Sequence, residues 1–196
     1  MLTLPLTLDL KTVHLSDEQF HQLCLANPHI SMERTPQGKL VLMSPVGGYS
    51  GNKELELGGE LYLWNRETQL GKVFSSSTIF RLPNGGDRSP DAAWVELSRW
   101  QSLTPKQRQA FPPLAPDFVL ELRPPSDSLS TLQAKMEEYL NSGVRLGWLF
   151  NPQDQQVEIY RLGQVKEVRN LPTQLSGEDV LLGFTLTVEP FENSDQ

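Results

Sequence analysis

Asp91 and Glu121 are carboxylates in places where carboxylates rarely go. Ser89-Pro90-Asp91-Ala92-Ala93-Trp94-Val95 and Pro116-Asp117-Phe118-Val119-Leu120-Glu121-Leu122-Arg123 each read as a short, apolar, buried strand. An ionised side chain in such a run needs a partner. Arg123 follows Glu121 by two residues, and the period of a strand puts both side chains on one face. Two carboxylates with a cation beside them can hold a hard divalent metal ion, while the cation meets a phosphate or orients an attacking water. A glycosidase could use the same two acids, but it would need no paired cation next to them.

A second cation comes from the segment after the Glu121 strand. At roughly 100° per residue, Leu129, Leu132, Met136, Tyr139 and Leu140 form one apolar stripe of a helix, with Lys135 on its edge. A long lysine stem can lie along a core while its ammonium reaches out, which is also how an ordinary surface lysine behaves. The other polar residues have plainer readings. Asp117 suits a turn or cap at a strand start, and Asp127 after Ser126 suits a helix N-cap. His14, His21 and His29 lie in the amino-terminal segment without metal-ligand spacing or a neighbouring nucleophile motif. Gly47-Gly48 lacks the lysine and hydroxyl of a phosphate loop.

The elements that must position these groups follow from caps, periodicity and turn residues. Ser16-Asp17-Glu18-Gln19 spells a capping box, followed by Phe20, Leu23 and Cys24 at helical spacing and a stop near Asn27-Pro28. Ile30 to Arg34 and Lys39 to Ser44 form a hairpin around Pro36-Gln37-Gly38. Gly47 to Gly51 leads into a helix carrying Leu57, Leu61 and Trp64, weakened by Gly58 and Gly59. Strands are expected near Val73 to Leu82 and Ala92 to Glu96, joined by Pro83-Asn84-Gly85-Gly86. Thr104-Pro105-Lys106 opens a short helical insert that ends before Pro112-Pro113. A helix from about Ser128 to Asn141 closes at Gly143, then comes a strand from Arg145 to Phe150. Val157 to Tyr160 and Val165 to Val168 form a last hairpin. This order, helix, strands, helix and strand wrapped by hairpins, is that of an α+β domain.

With 196 residues, 38% hydrophobic and 21% charged, the chain fits one soluble domain spanning 1–196 with a proper core. No apolar run approaches a membrane span, and the opening MLTLPLTLDLK lacks the marks of a signal peptide, so a cytoplasmic protein without membrane contact is expected. One cysteine, Cys24, allows no internal disulfide and no thiolate zinc cluster. The net charge of −7 argues against a general nucleic-acid binder, although a cleft sets its own local field. Four tryptophans, Trp64, Trp94, Trp100 and Trp148, together with the hairpins, suggest apolar surface that a homodimer would cover.

The stretches SPDAAWV, PDFVLELRPPSD, KMEEYLNSGVRLGWLFNP and LSGEDVLLGF, in this order and spacing, resemble the Uma-type putative restriction endonuclease family of the PD-(D/E)XK nuclease superfamily. The resemblance runs from roughly Ile30 to Phe184. It implies a restriction-endonuclease-like core, a mixed β-sheet flanked by helices with peripheral hairpins, in a nuclease-like domain over 30–189 behind an amino-terminal helical extension over 1–29. It also implies hydrolysis of DNA phosphodiester bonds with Mg²⁺ or Mn²⁺ held by Asp91 and Glu121. Arg123 stands where the superfamily usually has lysine, and the resemblance points to Lys135 as the replacement, with Arg123 the second choice because a guanidinium cannot give up a proton to activate water. A third carboxylate is implied on the first core helix. Glu54, Glu56 and Glu60 are the candidates, and the spelling GNKELELG favours Glu56. A nuclease fold retained as a binding or dimerisation module is the alternative, because fold does not fix function.

Overall fold

The computed structural model describes residues 5–10 and 12–192; the first four residues of the opening MLTLPLTLDLK and its Lys11 lie outside them. Elements follow along the chain as β1 (Leu6–Leu8), α1 (Asp17–Ala26), β2 (Met32–Arg34), β3 (Leu40–Leu42), α2 (Gly48–Thr68), β4 (Gly71–Ser75), β5 (Phe80–Arg81), β6 (Asp87–Arg88) and β7 (Ala92–Glu96). Then come α3 (Leu97–Ser102), α4 (Pro105–Gln109), β8 (Phe118–Leu122), α5 (Leu129–Asn141), β9 (Leu146–Asn151), β10 (Gln156–Arg161), β11 (Glu167–Asn170), β12 (Thr173–Ser176) and β13 (Thr185–Val188).

A six-stranded sheet in the order β11-β10-β9-β8-β7-β4 forms the centre. It is mixed, since β8 and β9 run parallel around the crossover helix α5 while the other pairs are antiparallel. Period-2 alternation along β8 divides the core. Phe118, Leu120 and Leu122 pack on one face with Leu57 and Leu61 of α2, and Val119 packs on the other with Leu132, Met136 and Tyr139 of α5. A second sheet, β1-β3-β2-β6-β5, carries α1 through Phe20, Met32 and Leu40. The pair β12-β13 closes one end of the first core through Leu175, Leu186 and Val188.

Most expected elements are present. Ser16 and Gln19 complete their capping box at the start of α1, and β2 and β3 pair across a turn in which Gly38 takes φ 79°. The glycines at 58 and 59 do not interrupt α2. Two expectations change. The strand expected over 73–82 is divided, with β4 in the central sheet and β5 in the second, because Ser75 to Thr78 make a turn closed by a 3.0 Å bond from Thr78 N to Ser75 O. The Pro83 to Gly86 turn accordingly joins β5 to β6 and not to the Asp91 strand. The N-cap of α5 is Ser128, whose Oγ accepts from Thr131 N at 3.2 Å, and not Asp127. None of the four tryptophans is exposed: Trp94 and Trp148 are in the core, and Trp64 and Trp100 are half-buried. No helix among the described residues is long and apolar enough to cross a membrane.

Candidate active site

Asp91 sits just before β7, after the proline that ends the β6–β7 link, and its Oδ2 accepts a 2.7 Å bond from Leu122 N on the neighbouring β8. That bond fixes the carboxylate at the end of β8 where Glu121 stands. Because Glu121 alternates with Leu120 and Leu122, it lies on the α5 face of the sheet. There its Oε1 accepts from Tyr139 Oη at 2.9 Å and pairs with Lys135 Nζ at 2.8 Å. Lys135 and Tyr139 are four residues apart on α5, and thus on one side of it. Lys135 is buried, not a surface lysine.

Residues from both sheets enclose this cluster. A cavity of about 520 Å³ is lined by Asp91, Glu121, Lys135, Arg88, Glu33 and Glu54, among others. Glu33 of β2 accepts at Oε1 from Lys135 Nζ at 3.0 Å and from Ser89 N at 2.9 Å, and at Oε2 from Arg88 at 2.8 Å. Arg88 also donates from Nε to Glu138 of α5 at 3.0 Å. Glu33 and Arg88 were not conspicuous beforehand, because they lie in strands only a few residues long and without an apolar run to make a charge stand out.

The electrostatics follow from burial and pairing. Burial pushes the Asp91 carboxyl up to about 7, with Lys135 opposing and Glu54 reinforcing the rise. Burial likewise pushes Glu121 up to about 8, again against the pull of Lys135. For Glu33 burial acts in the same direction, but Lys135, Arg88 and the Ser89 amide outweigh it and hold its carboxyl below the usual range. Burial alone would lower the Lys135 pKa, yet Glu121, Glu33 and Asp91 together raise it above lysine's ordinary value. Tyr139, raised by burial and by Glu121, stays a hydrogen-bond donor.

Asp91, Glu121 and Lys135 are thus brought together, whereas Arg123 and Glu56 are not. β8 ends at Leu122, and the Pro124-Pro125 pair carries the chain off the sheet. The Arg123 guanidinium turns to Asp127 O at 3.0 Å and Asn151 Oδ1 at 3.0 Å, bracing the β8–α5 loop, and is not part of the cavity lining. Glu56 pairs with Lys53 at 2.8 Å and faces a different hollow, beside β13. Glu54, two residues earlier and on the other side of α2, is the helix carboxylate that reaches the Asp91 cavity. Burial and the nearby Glu121 raise its pKa. Helical phase separates the two, since a shift of two residues is a rotation of about 200°. Among the described residues, no three acidic, histidine or cysteine side chains converge as a ready-made metal cluster.

The comparisons with known proteins agree with this architecture. A structure titled as a putative nuclease belonging to DUF820, from Anabaena variabilis ATCC 29413, superposes with a TM-score of 0.68 over 80% of this chain and 87% of that one, at 19% identity. At that identity the likeness shows the shared fold. No curated protein matches. The Uma2 family, described as putative restriction endonuclease, matches residues 17–189, a span that includes the central sheet, all of the second sheet but β1, and every side chain of the cluster. The chain belongs to the Uma2 family of putative restriction endonucleases.

Proposed function

We propose that the protein is a Mg²⁺- or Mn²⁺-dependent endonuclease that hydrolyses DNA phosphodiester bonds, with Asp91 and Glu121 as metal ligands and Lys135 as the catalytic cation. The observation that carries the reading is the meeting of those three side chains, from two adjacent strands and the crossover helix, on one cavity. The donor set fits a hard dication, being carboxylate oxygen without thiolate or imidazole, and Mg²⁺ commonly takes only one or two carboxylates and keeps several waters. Asp91 Oδ1 and Glu121 Oε2 take part in none of the bonds described and line the cavity with their residues. Bound there, such an ion would lower the pKa of its water and neutralise phosphoryl charge.

The chain's own groups supply the rest. Lys135, held protonated by its carboxylates, suits electrostatic stabilisation of charge developing on the phosphoryl oxygens better than proton abstraction. Tyr139 fixes Glu121 Oε1 and so aims its other oxygen. The homodimer expected from the sequence belongs to the same proposal, since a two-fold pair would meet both strands of a duplex.

Plasmid and single-stranded DNA incubated with Mg²⁺, Mn²⁺ or a chelator provide the test. Cleavage should require the ion. Asp91→Asn should abolish both cleavage and calorimetric Mn²⁺ binding, whereas Lys135→Ala should abolish cleavage alone. Cleavage that persists in the chelator, or in Asp91→Asn, would sink the reading. Mn²⁺ binding without any cleavage would favour the binding module.

A further inference from the structure

We propose that Glu33 is a positioning residue for Lys135, so that the outer sheet, through β2, belongs to the active site. The inference rests on the reading of Lys135 given above. An ammonium has three N–H donors. Lys135 directs them to Glu121 Oε1 at 2.8 Å, Glu33 Oε1 at 3.0 Å and Ser89 O at 3.4 Å. Only Glu121 among these acceptors is a metal ligand in the proposal. When Glu121 turns its charge toward a cation, Glu33 and Ser89 still hold Nζ at the cavity wall. Without Glu33, the sole carboxylate left to Lys135 would be Glu121, and the ammonium would compete there with the incoming ion.

Glu33 is itself unable to wander. Its side chain is 3% exposed, and its two oxygens are tied to the Ser89 amide and the Arg88 guanidinium, with Arg88 braced on Glu138 of α5. The next residue on β2, Arg34, points the opposite way and locks the strand from behind, through Asp87 at 2.7 Å and Asp17 at 2.6 Å. A buried ionic network of this kind is weak evidence for stability, because desolvating the charges offsets most of their attraction. Its orientation toward the cavity fits a positioning role.

The test is Glu33→Gln, which keeps the shape and an acceptor but removes the charge. Two readouts are taken on the full chain, the nitrogen-15 resonance of the Lys135 ammonium in metal-free protein, assigned with Lys135→Arg, and steady-state cleavage. In wild type the ammonium should exchange slowly with water and give a resonance. In Glu33→Gln that resonance should be lost while that of Lys166, paired with Glu158 at 2.9 Å on another part of the molecule, keeps its wild-type behaviour. The value of kcat should fall by about 10-fold or more with KM little changed, and Mn²⁺ affinity should drop because the ammonium now competes at Glu121. A retained Lys135 resonance, or a wild-type kcat, would overturn the proposal. Should wild type cleave nothing, the nuclease reading fails separately, and the resonance alone decides whether Glu33 holds Lys135. Should Glu33→Gln not fold, Glu33→Asp, charged but one methylene short of reach, should lose the resonance too. Wild-type behaviour there would overturn the proposal equally.

Discussion

At the level of single residues the site works by setting buried charges against one another, and the metal-free protein should show this in its pH dependence. Asp91 and Glu121 are pushed by burial to about 7 and about 8, whereas in an unfolded chain both would titrate near 4. An acid whose folded pKa is raised gives stability that is fully present below the unfolded value and is lost as pH rises through the folded one. Glu33 is lowered and Lys135 raised, so their contributions change below and above this window. In chelator, the melting temperature should therefore fall between pH 5 and pH 9. Asp91→Asn, which can still accept from Leu122 N, should flatten that fall. A wild-type melting temperature that is level or rising across the interval would contradict the burial argument. The same logic explains what could be read beforehand. Asp91 and Glu121 were legible because a carboxylate in an apolar strand is anomalous, and Lys135 because helical phase put it at the edge of an apolar stripe. Glu33 and Arg88 were not singled out, because a charge in a two- or three-residue strand has nothing local to mark it, and Glu54 was a candidate passed over for Glu56, because among several acids on one helix the spelling does not say which faces the cavity.

At the level of elements, α5 is the part that turns a two-carboxylate strand pair into a candidate catalytic site. Its apolar stripe docks Leu132, Met136 and Tyr139 on β8 and β9, and docking in that rotation carries Lys135 to Glu121. Gly147 of β9 lies under this contact: a Cβ there would come within 2.5 Å of Met136 Cε and 3.3 Å of Val119 Cγ2, so a larger residue would have to push the methionine methyl aside. The cap has a different part. Removing the Ser128 hydroxyl in Ser128→Ala should cost about 1 kcal/mol and lower the melting temperature by roughly 2–4 °C. Lys135 lies nearly two turns further on, anchored by Glu33 and Glu121, so cleavage should stay within about twofold of wild type. A rate loss as severe as that expected for Lys135→Ala would mean that the helix start, and not those anchors, sets the ammonium. Helices with caps and strands with long apolar runs were thus legible. The division of residues 73–82 between two sheets was not, because Ser75 to Thr78 carry no glycine or proline to mark the break. Arg123 was placed beside Glu121 by strand period and by the family pattern, whereas its guanidinium bonds Asp127 O and Asn151 Oδ1 after the chain leaves the sheet at two prolines.

At the level of the whole molecule, the open question is how a chain of net charge −7 engages a polyanion. The basic groups that line the cavity are Arg88 and Lys135, and both are already paired with carboxylates. Several other arginines are likewise committed within the fold, Arg34 and Arg81 to Asp87, Arg99 to Asp117 and Arg161 to Glu178. Sequence-independent affinity for DNA comes from neutralising phosphates, and each neutralised phosphate contributes about −0.9 to the slope of log affinity against log salt. With the two cations that line the cavity already paired, this protein should bind DNA weakly in chelator. Adding Ca²⁺, a hard ion that takes the same oxygen ligands but with looser and longer coordination, should restore binding by placing a dication at Asp91 and Glu121 that a phosphate can meet. The salt slope in Ca²⁺ should stay shallow, about −3 or less in magnitude, where a basic-surface binder with six to ten phosphate contacts would be far steeper. Fluorescence anisotropy of a labelled duplex across a sodium chloride series measures both quantities. Tight binding in chelator with a steep slope would mean that affinity comes from a basic surface independent of the metal site. Binding that needs the ion, with a shallow slope, would place the main electrostatic attraction at the Asp91 and Glu121 cavity, and Asp91→Asn should then lose the Ca²⁺ response.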